Sequence, residues 1–151
     1  MKVIIDASEQ EIPRPKDKRK MHYSGKRKRH TVKNQYAVNR DGEIVHKPSH
    51  SPGRPHDYFI LKKKIPVLPE GLRTFADLGY RWMKKDFPQI NPVLPYKRRK
   101  GRRLTPEQKE FNRNHSRIRI VVEHTISKIK KFCIMRETFR NRLRRHDGIS
   151  D

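Results

Sequence analysis

A single cysteine, Cys133, stands in 151 residues, so no disulfide can form within the chain. No stretch approaches the roughly 20 consecutive apolar residues that span a bilayer, and the chain passes from Met1 into an apolar segment without the n-region and long h-region of a secretory signal. A soluble, intracellular protein is expected. Acids are scarce, 16 against 39 lysines and arginines, which leaves a formal net charge of +23. Such a surface asks for a polyanion. No long helix joins a basic face to an aromatic one, so nucleic acid outranks a membrane as the partner. Apolar residues are few as well, 32% of the chain, enough for one small core and hence one domain. No internal repeat is visible.

Within that chain, Val3-Ile4-Ile5 reads as a short buried strand that delivers Asp6 at its C-terminal tip. Glu11 to Arg29 is rich in proline, lysine and arginine, lacks apolar periodicity and reads as a loop, with Tyr23-Ser24-Gly25 as its turn. His30 to Asn39, Asp41-Gly42 and Glu43 to His46 form a strand, a tight turn and a returning strand. After the Ser51 to Pro55 break, His56 to Lys64 suits a short helix that Pro66 stops. Leu72 to Ala76 is a further strand ending on an acid, Asp77, before Leu78-Gly79-Tyr80. A brief helix is expected over Arg81 to Phe87 and a short strand over Pro92 to Pro95.

The best-marked element begins at Thr105, with Pro106 in the first helical position and Gln108 completing a capping box. Ile118, Val121, Val122, Thr125, Ile129 and Phe132 then recur at three- and four-residue steps as one apolar stripe. Arg119, Glu123 and Lys130 fall on another face, because steps of four and seven residues advance about 40° and 340°. Cys133, beside the stripe, reads as a small core residue, and so do Tyr80 and Trp82. His46, His50 and His56 straddle a Pro-Gly break without a cysteine and read as solvated or DNA-facing rather than as a metal cluster. From Arg136 the charged tail reads as a fraying helix end.

Two acids at strand ends and a third on a long helix suit phosphodiester chemistry. That chemistry requires stabilising charge on both the attacking and the leaving oxygen, which two divalent ions about 3.5 to 4 Å apart do. Mg²⁺ takes oxygen ligands and keeps several waters, so a few carboxylates and the substrate phosphate suffice. Lysine and arginine would meanwhile hold the DNA backbone. Taken singly, each aspartate reads as a turn cap and Glu123 as half of a surface ion pair. Only the set favours the catalytic reading.

The runs Ile5-Asp6-Ala7, Tyr23-Ser24-Gly25-Lys26, Lys28-Arg29-His30-Thr31, Pro52-Gly53 with His56-Asp57, Ala76-Asp77-Leu78-Gly79-Tyr80, and Arg117 to Glu123-His124 follow in this order. Together they resemble the DDE endonuclease domain of bacterial insertion-sequence transposases and their PIF/Harbinger-like relatives, from residue 3 to residue 146. The resemblance implies an α/β, ribonuclease-H-like fold, a mixed sheet flanked by helices in a single domain over 1–146, with 147–151 as a tail. By motif, Asp6, Asp77 and Glu123 become the catalytic, metal-binding acids for Mg²⁺ or Mn²⁺, two ions in all. Asp57 stays open as an alternative second ligand or as a cap for its helix. Asp77 is preferred, because an acid at a strand end is held more rigidly.

Arg119 and Lys130 match the basic positions four before and seven after the family's glutamate, near DNA phosphate. Ser116 stands where the fuller signature has tyrosine. Lys26, Arg27, Lys28 and Arg29, with Lys97, Arg98, Arg99 and Lys100, complete the expected DNA contacts; the second block could also be a solvated loop. The partners implied are transposon ends and target DNA, with a homo-oligomer when active, in a bacterial, nucleoid-associated cytoplasmic setting. The family's DNA-recognition region, which precedes the first catalytic strand, is not in this sequence. A second-reading-frame product with an upstream-frame DNA-binding partner, or an inactive fragment, is therefore expected. The alternative from another class is a small basic nucleic-acid-binding protein, which needs none of the three acids.

Overall fold

The computed structural model describes residues 2–64 and 69–150; the expected stop at Pro66 lies outside them. Strand β1 (Lys2–Glu11) pairs antiparallel with β3 (Arg29–Val38) along most of its length, from Ile4 opposite Val38 to Glu11 opposite Thr31. On its other edge β1 runs parallel to β6 (Arg73–Phe75), which in turn runs parallel to β7 (Asn91–Val93). Short strands β2 (Tyr23–Ser24), β4 (Ile44–His46) and β5 (Ser51–Pro52) each pair with β3 and complete a mixed sheet.

Alternation along β1 sends its two faces into different cores. Val3 and Ile5 pack with Ala37 under α2 (Asp57–Lys64), the 3₁₀ turn Leu78–Tyr80 and α3 (Met83–Asp86), through Tyr58, Leu61, Tyr80 and Met83. Ile4 faces the other way, against Tyr36, Val38, Phe75 and Val122 of the long helix α4 (Pro106–Ile129). The result is the α/β arrangement expected, a mixed sheet with helices on both faces, as in a ribonuclease-H-like domain. Both halves of the α4 capping box are present, with Thr105 Oγ1 accepting from the Gln108 N–H and Gln108 Oε1 from the Thr105 N–H, each at 3.2 Å. Farther along, Thr125 donates its hydroxyl to Gly42 O at 3.0 Å, which docks the β3–β4 turn on the helix. Gly42 has φ of 86°, where a side chain would be strained.

Several expectations are corrected. Strand β1 does not end at Asp6 but runs on to Glu11, because β3 supplies partners throughout. The expected loop of residues 11–29 contains a one-turn helix, α1 (Arg19–His22), and β2. The Ser51 to Pro55 break begins with strand pairing rather than loop. Helix α4 stops at Ile129, so Phe132 and Cys133 leave the stripe and are exposed. Trp82 is also exposed, with the Arg81 guanidinium 4.9 Å from its ring centroid instead of a core around it.

The tail does not fray. The Phe139 N–H donates to Glu11 O at 2.8 Å, and Phe139 is buried with Ile12 and Val32 while Leu143 packs alongside. A 3₁₀ turn at Leu143–Arg145 then leads into α6 (His146–Ser150), beyond α5 (Cys133–Arg136). Removing a buried aromatic leaves a cavity that surroundings fill only partly. Phe139→Ala is predicted to cost about 3 kcal/mol, read as a lower midpoint in urea unfolding; an unchanged midpoint would mean that the segment does not contribute to the core.

Candidate active site

Beyond the end of β6 the paired strands β1 and β3 continue alone, and an open cleft of about 620 Å³ forms there. Asp6, Asp57, Asp77 and Glu123 all line it, together with Glu9. Asp6, Asp57, Asp77 and Glu123 each arrive on a different element, while Glu9 shares β1 with Asp6. Asp6 points from the middle of β1 to the α4 side of the sheet, two residues on from Ile4, and its Oδ2 accepts from Arg119 Nη2 at 3.2 Å. Asp77 follows β6 after buried Ala76, Asp57 opens α2, and Glu123 projects from α4 one residue after buried Val122. Lys26, Arg27, Lys33, Arg54 and Lys130 supply the positive part of the lining.

The Asp-x-Gly-Tyr run has a local physical explanation. Asp77 caps the 3₁₀ turn, its Oδ1 accepting from the Gly79 N–H at 2.8 Å. A Cβ on Gly79 would lie 2.8 Å from that same oxygen and 3.2 Å from His56 Cε1, so glycine lets the carboxylate fold back. Tyr80 is buried, and its hydroxyl accepts from Gln35 Nε2 at 2.8 Å, while the same amide nitrogen donates to Asp57 O at 3.2 Å. Burial pushes the Tyr80 phenol well above its ordinary pKa, so it remains a neutral strut between the two aspartate-bearing elements.

Lys33 and Glu9, which belong to no motif of the sequence, complete this side of the cleft. They are cross-strand partners in the β1–β3 register. The buried Lys33 ammonium lies 2.8 Å from Asp57 Oδ1 and 3.7 Å from Glu9 Oε1, and it donates to Pro55 O at 2.8 Å. The available signal was a lysine on the inward-facing register of a strand that is buried from Thr31 to Val38.

Not every expected DNA contact reaches this cleft. Lys26, Arg27 and Lys130 line it, and Arg119 engages Asp6. Burial, reinforced by Arg27, lowers the pKa of Lys130. Arg29 instead pairs with Glu11 at 2.7 Å and lines an adjoining groove of about 440 Å³ that shares Glu9, Arg27 and Lys130 with the main cleft. Lys28 is exposed, in the left-handed conformation at φ of 57°. Lys97, Arg98, Arg99 and Lys100 are exposed between β7 and α4 and are not among the cleft residues.

Burial raises the pKa of the Asp6 carboxyl, with the Asp77 and Asp57 charges adding to the rise and the Ala7 N–H and Arg119 opposing it. An all-carboxylate donor set that crowds its own negative charge suits a hard divalent cation such as Mg²⁺ or Mn²⁺. The acids share the cleft without closing to mutual ligand spacing. Among the described residues, the group of three His, Cys, Asp or Glu side chains whose ligand atoms lie within 4.8 Å of one another is His50, His146 and Asp147, away from this cleft. No helix of the described chain is long and apolar enough to cross a membrane.

Because the folded pKa of Asp6 exceeds the unfolded one, the favourable contribution is complete below the unfolded pKa and is lost as pH rises through the folded pKa. Asp6→Asn, which mimics the neutral acid, is therefore predicted to be more stable than the parent at pH 7, with the gain vanishing as pH falls below the carboxylate range. Denaturant unfolding across pH checks this, and a destabilised Asp6→Asn at pH 7 would contradict it.

The family described as DDE superfamily endonuclease matches residues 5–150. Over 143 residues the chain is 38% identical to a protein of Microchaete diplosiphon named "Probable transposase for insertion sequence element IS702". That alignment covers 95% of this chain and 51% of the relative, so the chain spans about half the length of the curated relative it matches. No solved structure matches the chain.

Proposed function

The chain belongs to the DDE superfamily of endonucleases, and we propose that it is the catalytic core of an insertion-sequence transposase, which cuts DNA strands at transposon ends and joins them to a target. The observation that carries this reading is the convergence of Asp6, Asp77 and Glu123 on one cleft walled by lysine and arginine. In this reading the three acids hold two Mg²⁺ or Mn²⁺ ions. The ions, when bound, supply charge for the attacking and leaving oxygens of an in-line displacement, first by water and then by a DNA 3′ hydroxyl.

The protein's own side chains bind and align the strand. Lys26, Arg27 and Lys130 face its phosphates along the cleft, and Arg29 extends the track into the adjoining groove. Arg119 supports the same role. One of its nitrogens holds Asp6, while its Nε is buried with no hydrogen-bond partner among the described residues. A buried donor of that kind is costly unless something accepts from it, and a phosphate oxygen is the acceptor this cleft would receive. With cations held by Asp6, Asp77 and Glu123, Arg119 would no longer be needed to balance Asp6 and would be free to contact a DNA phosphate.

Asp77 rather than Asp57 is the second metal ligand in this reading, because the Lys33 ammonium already neutralises Asp57 at 2.8 Å. Asp57 then positions the site through Lys33 and Gln35. The active form is a homo-oligomer on DNA, joined by a DNA-recognition partner such as an upstream-frame product. A gel assay of Mn²⁺-dependent nicking, run with a DNA-recognition partner present, separates these roles. Asp77→Asn and Glu123→Gln should abolish nicking while salt-sensitive DNA binding persists, and Asp57→Asn should retain part of the activity. Unimpaired nicking by Asp77→Asn or Glu123→Gln would overturn the assignment.

A further inference from the structure

Away from the acidic cleft, the loop between β4 and β5 meets α6, and there His50, His146 and Asp147 can each offer one ligand atom, all within 4.8 Å of one another. We propose that these three residues form a second metal site, for a borderline transition-metal ion of the Zn²⁺ type, which fastens the C-terminal segment to the sheet. This site is independent of the function proposed for the cleft.

The proton inventory favours coordination. Gln10 donates its side-chain amide nitrogen to the carbonyls of Ile134 and Glu137, which sets the amide's orientation. Its Oε1 therefore accepts, and the partner 2.9 Å away is His146 Nε2, which must carry the proton. Nδ1 is then the nitrogen of His146 that keeps a lone pair. A ring N–H given to a side-chain or backbone oxygen is the usual outer support of a metal-bound histidine, fixing tautomer and orientation.

The other two ligands are already side by side. His50 Nδ1 and Asp147 Oδ2 are 3.0 Å apart, and Asp147 Oδ1 accepts from the His50 N–H at 2.6 Å. Neighbouring ligands on a tetrahedral ion with bonds of roughly 2.0 to 2.1 Å lie about 3.3 Å from each other. Metal entry needs the proton between His50 and Asp147 to leave for solvent and His146 to close by a fraction of the 4.8 Å spread. Water fills the fourth position.

Two imidazoles and one carboxylate select against Mg²⁺, which prefers all-oxygen surroundings, and toward Zn²⁺ or its Co²⁺ surrogate. His22, Lys47 and Lys64 lie within electrostatic reach of His50 or Asp147 and weaken cation binding. The site should therefore bind less tightly than an all-cysteine structural site. Its mechanical consequence is clear from the connections: Asp147 and His146 belong to α6, while His50 directly precedes β5.

The test is titration of the intact chain with Zn²⁺ alone by calorimetry, in excess Mg²⁺ to occupy the oxygen-rich cleft, with Co²⁺ absorption as the signature of imidazole ligation. One Zn²⁺ per chain is expected, with a four-coordinate Co²⁺ spectrum. His50→Ala and Asp147→Asn should each weaken binding at least about tenfold, since even loss of an outer-shell partner costs 10- to 100-fold. Asp147→Asn keeps an acceptor for the His50 N–H, so it serves as the variant least disturbing to the fold, with circular dichroism as the control. Absence of saturable Zn²⁺ binding by the parent, or equal binding by the parent and both variants, would overturn the proposal.

Discussion

The pairing of β1 with β3 is the constraint on which the rest of the site depends. Their antiparallel register continues from Ile4 opposite Val38 to Glu11 opposite Thr31, whereas β6 accompanies β1 only as far as Ile4 opposite Phe75. The surplus length creates an open end to the sheet and places Asp6 at its threshold. Because side chains alternate, a slip of one residue would send Asp6 to the α2 side and Glu9 to the α4 side, separating Asp6 from Arg119 and Glu9 from Lys33. The apolar residues Val3, Ile4 and Ile5, buried on both faces, hold the register against such a slip.

Electrostatics then organise what the strands deliver. A chain of formal charge +23 has an abundance of cations with which to balance a few acids, and it spends them selectively. Lys33 is enclosed between Asp57 and Glu9, and Arg119 lies against Asp6, while Lys26, Arg27 and Lys130 stay on the walls. The acids remain crowded enough that burial and their neighbours raise the pKa of Asp6. In the proposed function a divalent cation would offset this burial and crowding of negative charge, and the surrounding cations would draw DNA phosphates into the same cleft.

Legibility in the sequence followed the range of the interactions. Helix α4 announced itself because its cap, Thr105 with Gln108, and its stripe through Ile118, Val122 and Thr125 are local patterns. The turn at Gly42 and strand β3 were legible for the same reason. Asp6, Asp77 and Glu123 could be named from motif order, and the structure places all three on one cleft. Lys33 could not be singled out, because its role arises from a cross-strand pairing and a helix start that bring Glu9 and Asp57 to it. Phe139 and His146 were hidden in a charged tail, where isolated apolar residues carry no periodicity and only contact with Ile12, Val32 and Gln10 gives them meaning. The apolar periodicity runs on to Phe132, past the end of α4 at Ile129, because periodicity does not reveal where a helix stops.

The proposed function requires that Asp6, Asp77 and Glu123 together hold the catalytic cations. A crystal structure of the chain with Mn²⁺ and a DNA end, with the ions located by anomalous scattering, tests it most directly. Manganese bonded to oxygens of all three acids is expected, with Arg119 turned from Asp6 to a phosphate and Asp57 still on Lys33. Manganese bound through Asp57 in place of Asp77, or cleft-bound DNA without metal at Asp6 and Glu123, would contradict it.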